Sequence, residues 1–174
     1  MATTRKVKIP ESVTVRIEGN LVKVTGPKGM LIREMYYPNV SLSVADREFT
    51  ITTESGRKKI LAICGTFWAH LQNMILGVTE GYQYRMKVVY SHFPIQLKLA
   101  GDRIEVGNFL GEKRPRFARI EKDVKVVLGS DEVTVTGIDK ESVGKTAANI
   151  EHATRIRERD PRVFQDGVYI VERR

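Results

Sequence analysis

Apolar and polar side chains alternate with a period of two through much of the first fifty residues, as in strands with one buried face. Val13, Val15 and Ile17 fall on one side and Thr14 and Arg16 on the other. After Gly19-Asn20 the run Leu21 to Thr25 returns, so the pattern predicts a hairpin. Gly26-Pro27-Lys28-Gly29 then turns the chain tightly into a loop. Val40 to Val44, the turn Ala45-Asp46-Arg47, and Phe49, Ile51 and Thr53 predict a second hairpin. Beyond Ser55 the period changes: Ile60, Ile63, Cys64, Phe67, Leu71, Met74, Ile75 and Val78 recur at steps of three and four, one face of a long amphipathic helix.

The arrangement then repeats. Ile95 to Leu99, the turn Gly101-Asp102, and Arg103 to Val106 restate the first hairpin 82 positions further on. Val124 to Leu128, Gly129-Ser130-Asp131, and Val133 to Gly137 restate the second at an offset of 84, and Val143, Ala147, Ile150 and Thr154 form a second helical stripe. This is an internal duplication whose unit, some 80 residues, is long enough to close its own core. The predicted fold class is α+β, with two tandem similar domains, each a small mainly antiparallel sheet packed with one main helix. Residues 1–10 read as a basic N-terminal arm, 11–82 as the N-terminal domain and 83–174 as the C-terminal domain. Tyr82 to Tyr90, strand-like and without a Gly/Ser or Pro-rich linker, predicts halves held at a fixed angle.

The longest apolar stretch, Ile60 to Val78, is interrupted by His70, Gln72 and Asn73, short of the ~20 apolar residues that span a bilayer. Met1 to Pro10 carries Arg5, Lys6 and Lys8 and lacks the apolar core of a secretory signal. No membrane partner is expected.

Charge alters this picture more than composition does. Against 21 Asp and Glu stand 29 Lys and Arg, a net charge of +8 that favours a polyanionic partner. The excess is shared: residues 1–82 hold 11 basic and 7 acidic side chains and residues 83–174 hold 18 and 14, so each half is +4. A hydrophobic content of 41% can fill a core. The single Cys64 excludes an intrachain disulfide and suits a reducing compartment.

Among candidate chemistries, Gly144-Lys145-Thr146 follows a predicted strand and opens a helix, as a nucleotide-binding phosphate loop does. The spacing fails: the position that should hold the first Gly is Asp139, and Asp139 and Glu141 set carboxylates where phosphates would lie. Asp before a helix is ordinary capping chemistry. His70, His92 and His152 are far apart, and no metal-ligand spacing appears. His70, beside Phe67 and Met74, reads as a partly buried histidine with a hydrogen bond.

Three basic segments suit phosphate. Lys113, Arg114, Arg116 and Arg119 surround Phe117 in a Gly- and Pro-containing connection that reads as an exposed loop; guanidinium groups bond phosphate bidentately and Phe117 can cover a base. Arg57, Lys58 and Lys59 open the first helix, where the helix dipole disfavours cations unless an anion docks there. Arg155, Arg157, Arg159 and Arg162 follow the second helix, which Pro161 is expected to end near Asp160, and Glu151 and Arg155 stand at pairing distance on that helix. Phe164, Asp166-Gly167, the strand-like Val168 to Val171, and Arg173-Arg174 close the chain.

The arrangement Arg162-x-Phe164-x-Asp166-Gly167-Val168-Tyr169-Ile170 resembles the C-terminal signature of the large-subunit ribosomal protein six family, in its archaeal or eukaryotic form. Val24-Thr25-Gly26-Pro27-Lys28-Gly29, Gly137-Ile138-Asp139-Lys140 and Val143-Gly144 with Ala147 to Ile150 also resemble it; His152 departs, where the signature has Gln. The resemblance covers nearly the whole chain. It implies two similar α+β domains and no lysine needed after Val143-Gly144. It further implies a structural protein of the large ribosomal subunit in the cytoplasm, without catalysis, cofactor or small-molecule substrate. Its implied partners are large-subunit rRNA, bound mainly through the C-terminal domain, neighbouring ribosomal proteins near the stalk base, and translation factor GTPases near the sarcin–ricin loop. Lys113, Arg114, Arg116, Arg119, Arg155, Arg157, Arg159, Arg162 and Arg173 would then meet RNA, with Phe117, Phe164 and Tyr169 stacking or packing, and Arg57, Lys58 and Lys59 as additional phosphate contacts. The rival readings are an NTPase and a protein-interaction module whose charge serves an acidic partner.

Overall fold

A computed structural model describes residues 3–160 and 162–174; Met1, Ala2 and Pro161, and with Pro161 its expected part in ending the second helix, lie outside them. The chain divides into two units, residues 1–81 and 82–174.

In the first unit β2 (Thr14–Glu18), β3 (Leu21–Gly26) and β4 (Gly29–Glu34) form an antiparallel sheet in that order. β1 (Thr3–Lys8), β6 (Glu48–Thr53) and β5 (Ser41–Ala45) form another, with β6 in the middle. α1 (Lys58–Thr79) lies against β1, β3, β4 and β6. Val22, Val24, Phe49 and Ile51 from the sheets meet Cys64, Leu71 and Val78 from the helix in one core. α1 has the length and mean hydropathy (1.3) of a bilayer-crossing helix. Here its apolar face, including Ile60, Leu71 and Ile75, is buried.

Two expectations are corrected in this unit. The basic arm is largely a strand: β1 pairs antiparallel with β6 from Thr3↔Thr53 to Lys8↔Glu48. As an edge strand it buries only Val7; Lys6 and Lys8 face outward, and Arg5, on Val7's side, lies over α1 with its guanidinium carbon 5.9 Å from the centre of the Trp68 ring, which tolerates the Arg5-Lys6-Val7-Lys8 sequence. Trp68 Nε1 of α1 donates to the Lys6 carbonyl and ties it down. The loop after Gly26 is a two-residue turn into β4. Its alternation runs against polarity, with Met30 and Ile32 outward, so it leaves no core-facing hydrophobic period.

The second unit repeats this order. β7 (Tyr82–Val89) corresponds to β1, and β8 (Gln96–Ala100), β9 (Arg103–Gly107) and β10 (Arg116–Arg119) correspond to β2, β3 and β4. β11 (Val124–Leu128), β12 (Glu132–Gly137) and α2 (Lys140–Ala153) correspond to β5, β6 and α1. β13 (Gly167–Arg173) has no counterpart and extends the second sheet to the order β11-β12-β7-β13. The fold class is the expected one, an α+β pair of similar sheet-and-helix units. Tyr82 to Val89 is thus the first strand of the second unit rather than a connector.

α2 is capped by Asp139, whose side chain accepts from the backbone N–H of Glu141 and Ser142. All four residues of its predicted stripe, Val143, Ala147, Ile150 and Thr154, are buried. Gly-Lys-Thr lies within the helix rather than in a loop before it. Lys145 pairs with Glu121 at 2.9 Å, and the buried Thr146 hydroxyl donates to Ser142 O and accepts from Glu121 N.

Candidate nucleic-acid interface

Lys113 to Arg119 divides into a connection and a strand. Lys113 and Arg114 are exposed in the connection, whereas Arg116 to Arg119 form β10, paired with β9 from Arg116↔Val106 to Arg119↔Arg103. Side chains alternate across a strand, so Phe117 and Arg119 face out, Phe117 with 54% of its surface exposed, while Ala118 is buried. Arg116 lies on Ala118's side, and there it is absorbed by the fold.

The Arg116 guanidinium grips Glu112 through Nε, 2.8 Å from Oε2, and through Nη2 to Oε1. Its Nη1 donates to Ala153 O at 3.1 Å and Arg155 O at 3.0 Å, and its carbon lies 4.4 Å from the centre of the Phe109 ring. Arg116 therefore does not stand free for phosphate, contrary to the loop reading. It ties the first basic segment to the second by bonding the last carbonyl of α2. The Arg116 hydrogen bonds hold the Glu112 carboxyl below its ordinary range, against a smaller upward push from burial.

α2 ends at Ala153, seven residues before Asp160, because Thr154 caps it. The Thr154 hydroxyl bonds back to the Ile150 and Glu151 carbonyls and accepts from the Val168 N–H at 3.0 Å, joining helix end to β13. Arg155 is therefore outside the helix, its register with Glu151 is broken, and no ion pair joins them. Arg155, Arg157, Arg159 and Arg162 are exposed along the segment that follows. The Asp160 carbonyl accepts from Val163 N and Phe164 N, and this turn folds Phe164 back under the Arg159 guanidinium, 4.7 Å from the ring centre. Tyr169 at the start of β13 donates its hydroxyl to Gln165 O at 3.1 Å. Gly167 lies close beneath it: an added Cβ would lie 3.1 Å from the Tyr169 ring and would push the ring from its place by a few tenths of an ångström. Together these residues border a groove of about 440 Å³ lined by Glu151, His152, Thr154, Arg155, Ile156, Arg159, Phe164 and Tyr169.

The structure thus joins the segment carrying Lys113 and Arg114, through Arg116, to the segment carrying Arg155, Arg157, Arg159 and Arg162, and gathers Arg155, Arg159, Phe164 and Tyr169 around one groove, with Phe117 and Arg119 on the outward face of β10. Within this unit one expected contact stands apart from them. Arg173 is at the far end of β13, roughly 20 Å along the strand from Gly167, and lies 6.0 Å from the Tyr84 ring. Arg57, Lys58 and Lys59 belong to the first unit, where Arg57 caps α1 without a side-chain bond and no acid occupies the first turn. Sequence reasoning missed Glu112 and passed over His152 and Glu151 as groove residues. The Glu112–Arg116 spacing of four was a signal, hidden because Pro115 bars the helix in which that spacing is normally read.

The same two-unit pattern is found in known proteins. The model of the family described as "Ribosomal protein L6" matches residues 9–81 and 93–167, one segment in each unit. The chain belongs to the ribosomal protein L6 family. It is 57% identical over 173 residues to the large ribosomal subunit protein uL6 of Methanospirillum hungatei JF-1, covering 99% of this chain and 98% of the relative. It is 52% identical over 170 residues to that of Methanothrix thermoacetophila, covering 98% and 97%. Against that of Methanosarcina mazei the identity is 47% over 169 residues, covering 97% and 96%. The relatives are ribosomal structural proteins of archaea rather than enzymes, and this chain is of their type.

Proposed function

We propose that this ribosomal protein binds large-subunit rRNA chiefly through its second unit and buttresses RNA near the stalk base and the sarcin–ricin loop, where translation factor GTPases dock. The observation that carries the binding reading is the meeting of two basic segments at the end of α2, fastened by Arg116. Lys113, Arg114, Arg119, Arg155, Arg157 and Arg162 are exposed there without ion pairs among the described residues, which leaves their charge for phosphates. Phosphate contacts of this kind fix register and orientation, the task of a protein that holds RNA in place. Family membership supports the location. In the first unit Leu21, Met30 and Ile32 share one exposed face of the β2-β3-β4 sheet and support contact with neighbouring ribosomal proteins.

The test is binding of the chain to large-subunit rRNA fragments across a salt series, with Arg155, Arg157, Arg159 and Arg162 changed to Ala. Each lost phosphate contact should flatten the log–log slope by roughly 0.7 to 0.9. Weak binding indifferent to salt, fragment and mutation would transfer the role to protein contacts.

A further inference from the structure

The groove between the end of α2 and the start of β13 has features that phosphate binding alone does not require. Its volume, about 440 Å³, lies within the roughly 300–1,000 Å³ range of sites that enclose small molecules. A phosphate contact needs only a cation at the surface, yet two aromatic side chains, Phe164 and Tyr169, are held in this wall. Both are held from behind. The Tyr169 hydroxyl is bonded to Gln165 O and its ring rests on Gly167, while 42% of the residue stays exposed. Phe164 is fixed by the Asp160 turn and covered by Arg159, a guanidinium plane that is itself a stacking surface. Arg155 lines the same groove. Two cations and two aromatics face a single carboxylate, Glu151.

A duplex cannot use such a recess, because its bases are stacked on one another. A base that has left the helix can, since every base has a face to stack and its flanking phosphates remain outside for the arginines. We propose that this groove seats one unpaired nucleotide of the bound RNA. Its base stacks on Tyr169 and on the Arg159–Phe164 pair, and its flanking phosphates meet Arg155 and Arg157. The proposal rests on the RNA-binding reading and adds to it the class of element recognised, a bulged or looped nucleotide rather than paired RNA.

The test uses the full chain bound to large-subunit rRNA. Short-wave ultraviolet irradiation, followed by digestion and mass spectrometry, should yield a nucleotide joined to a peptide containing Phe164 or Tyr169, and that nucleotide should be unpaired in the RNA. Tyr169→Leu should lose this adduct and weaken binding roughly 5- to 150-fold, the loss of one stacked base, while leaving the salt slope unchanged because no charge is removed. Tyr169→Phe, which keeps the ring, should bind like the wild type, and both variants should match it in circular dichroism. Adducts confined to other peptides, or a Tyr169→Leu chain that folds and binds with full affinity, would overturn the nucleotide seat while salt-dependent binding kept the phosphate reading intact. Absence of salt-dependent binding by the wild type would overturn both.

Discussion

Arg116 shows how one side chain can look like a ligand contact and serve as a brace. In sequence it is one of four cations around an aromatic; in the fold four of its five N–H groups are matched to Glu112 and to the carbonyls of Ala153 and Arg155. No local sequence pattern reveals this, because two of its acceptors lie 37 and 39 residues away. Arg116→Ala should destabilise the second unit by about 1–2 kcal/mol, since it removes charge-assisted bonds and leaves the end of α2 without its cation. Arg116→Lys should restore little, an ammonium being unable to hold a carboxylate and two carbonyls in one plane. Urea midpoints of the three chains measure this. Glu112 provides a pH signature. Its folded value lies below its unfolded one, so the pair stabilises the fold above the ordinary carboxylate range of about 4.3 and loses that effect as pH falls through the depressed value. Wild type should exceed Glu112→Gln in stability by roughly 0.5 kcal/mol at neutral pH, the scale of a part-exposed pair, and the two should converge in strong acid. A gap independent of pH would show that Glu112 acts through packing alone.

At the scale of elements, legibility followed burial. Strands with a buried alternating face, such as β2 and β12, and the two helices with their three-and-four periodicity could be read directly from the chain. β1, β4 and β10 could not: β1 and β10 bury one residue each, β4 sets apolar side chains outward, and the pairing that makes them strands lies in other segments. Helix ends were hidden for the same reason. α1 ends where Lys28, from the turn before β4, bonds the Glu80 carbonyl, and α2 ends where Arg116, at the start of β10, bonds Ala153. The corresponding strand entry of each unit therefore sends a cation to the C-terminus of its helix, where the dipole favours one. The Gly26-Pro27-Lys28-Gly29 motif is explained by this joint. A Cβ on Gly26 would lie 2.6 Å from Val78 Cγ2 and 2.9 Å from the Val78 carbonyl oxygen, and backbone cannot swing aside. Gly26→Ala should cost roughly 1–3 kcal/mol. In an isolated first unit that corresponds to a fall in melting temperature of about 4–8 °C for each kcal/mol. Gly56→Ala, with nothing within 4 Å of the added methyl, is the control and should move stability by no more than about 0.5 kcal/mol.

The duplication, legible from offsets along the chain, explains at the scale of the molecule why the candidate interface belongs to one half. The first unit joins β3 to β4 through Pro27 and Lys28 alone, whereas the second joins β9 to β10 through residues 108–115, which carry Lys113 and Arg114. Residues 154–174, with the groove and β13, have no counterpart in the first unit. Equal net charges conceal this: what differs is whether cations are gathered on segments added to the shared framework. Since the cores of the two units are separate clusters, each should fold without the other. A chain of residues 82–174 should therefore unfold cooperatively, retain most of the affinity for large-subunit rRNA and show a salt slope close to that of the full chain. Residues 1–81 should also fold, but with a shallow slope, because Arg57, Lys58 and Lys59 form a smaller cluster. If residues 82–174 fold but bind with the shallow slope of residues 1–81, the added segments do not hold the RNA, and the charge they gather must serve another partner.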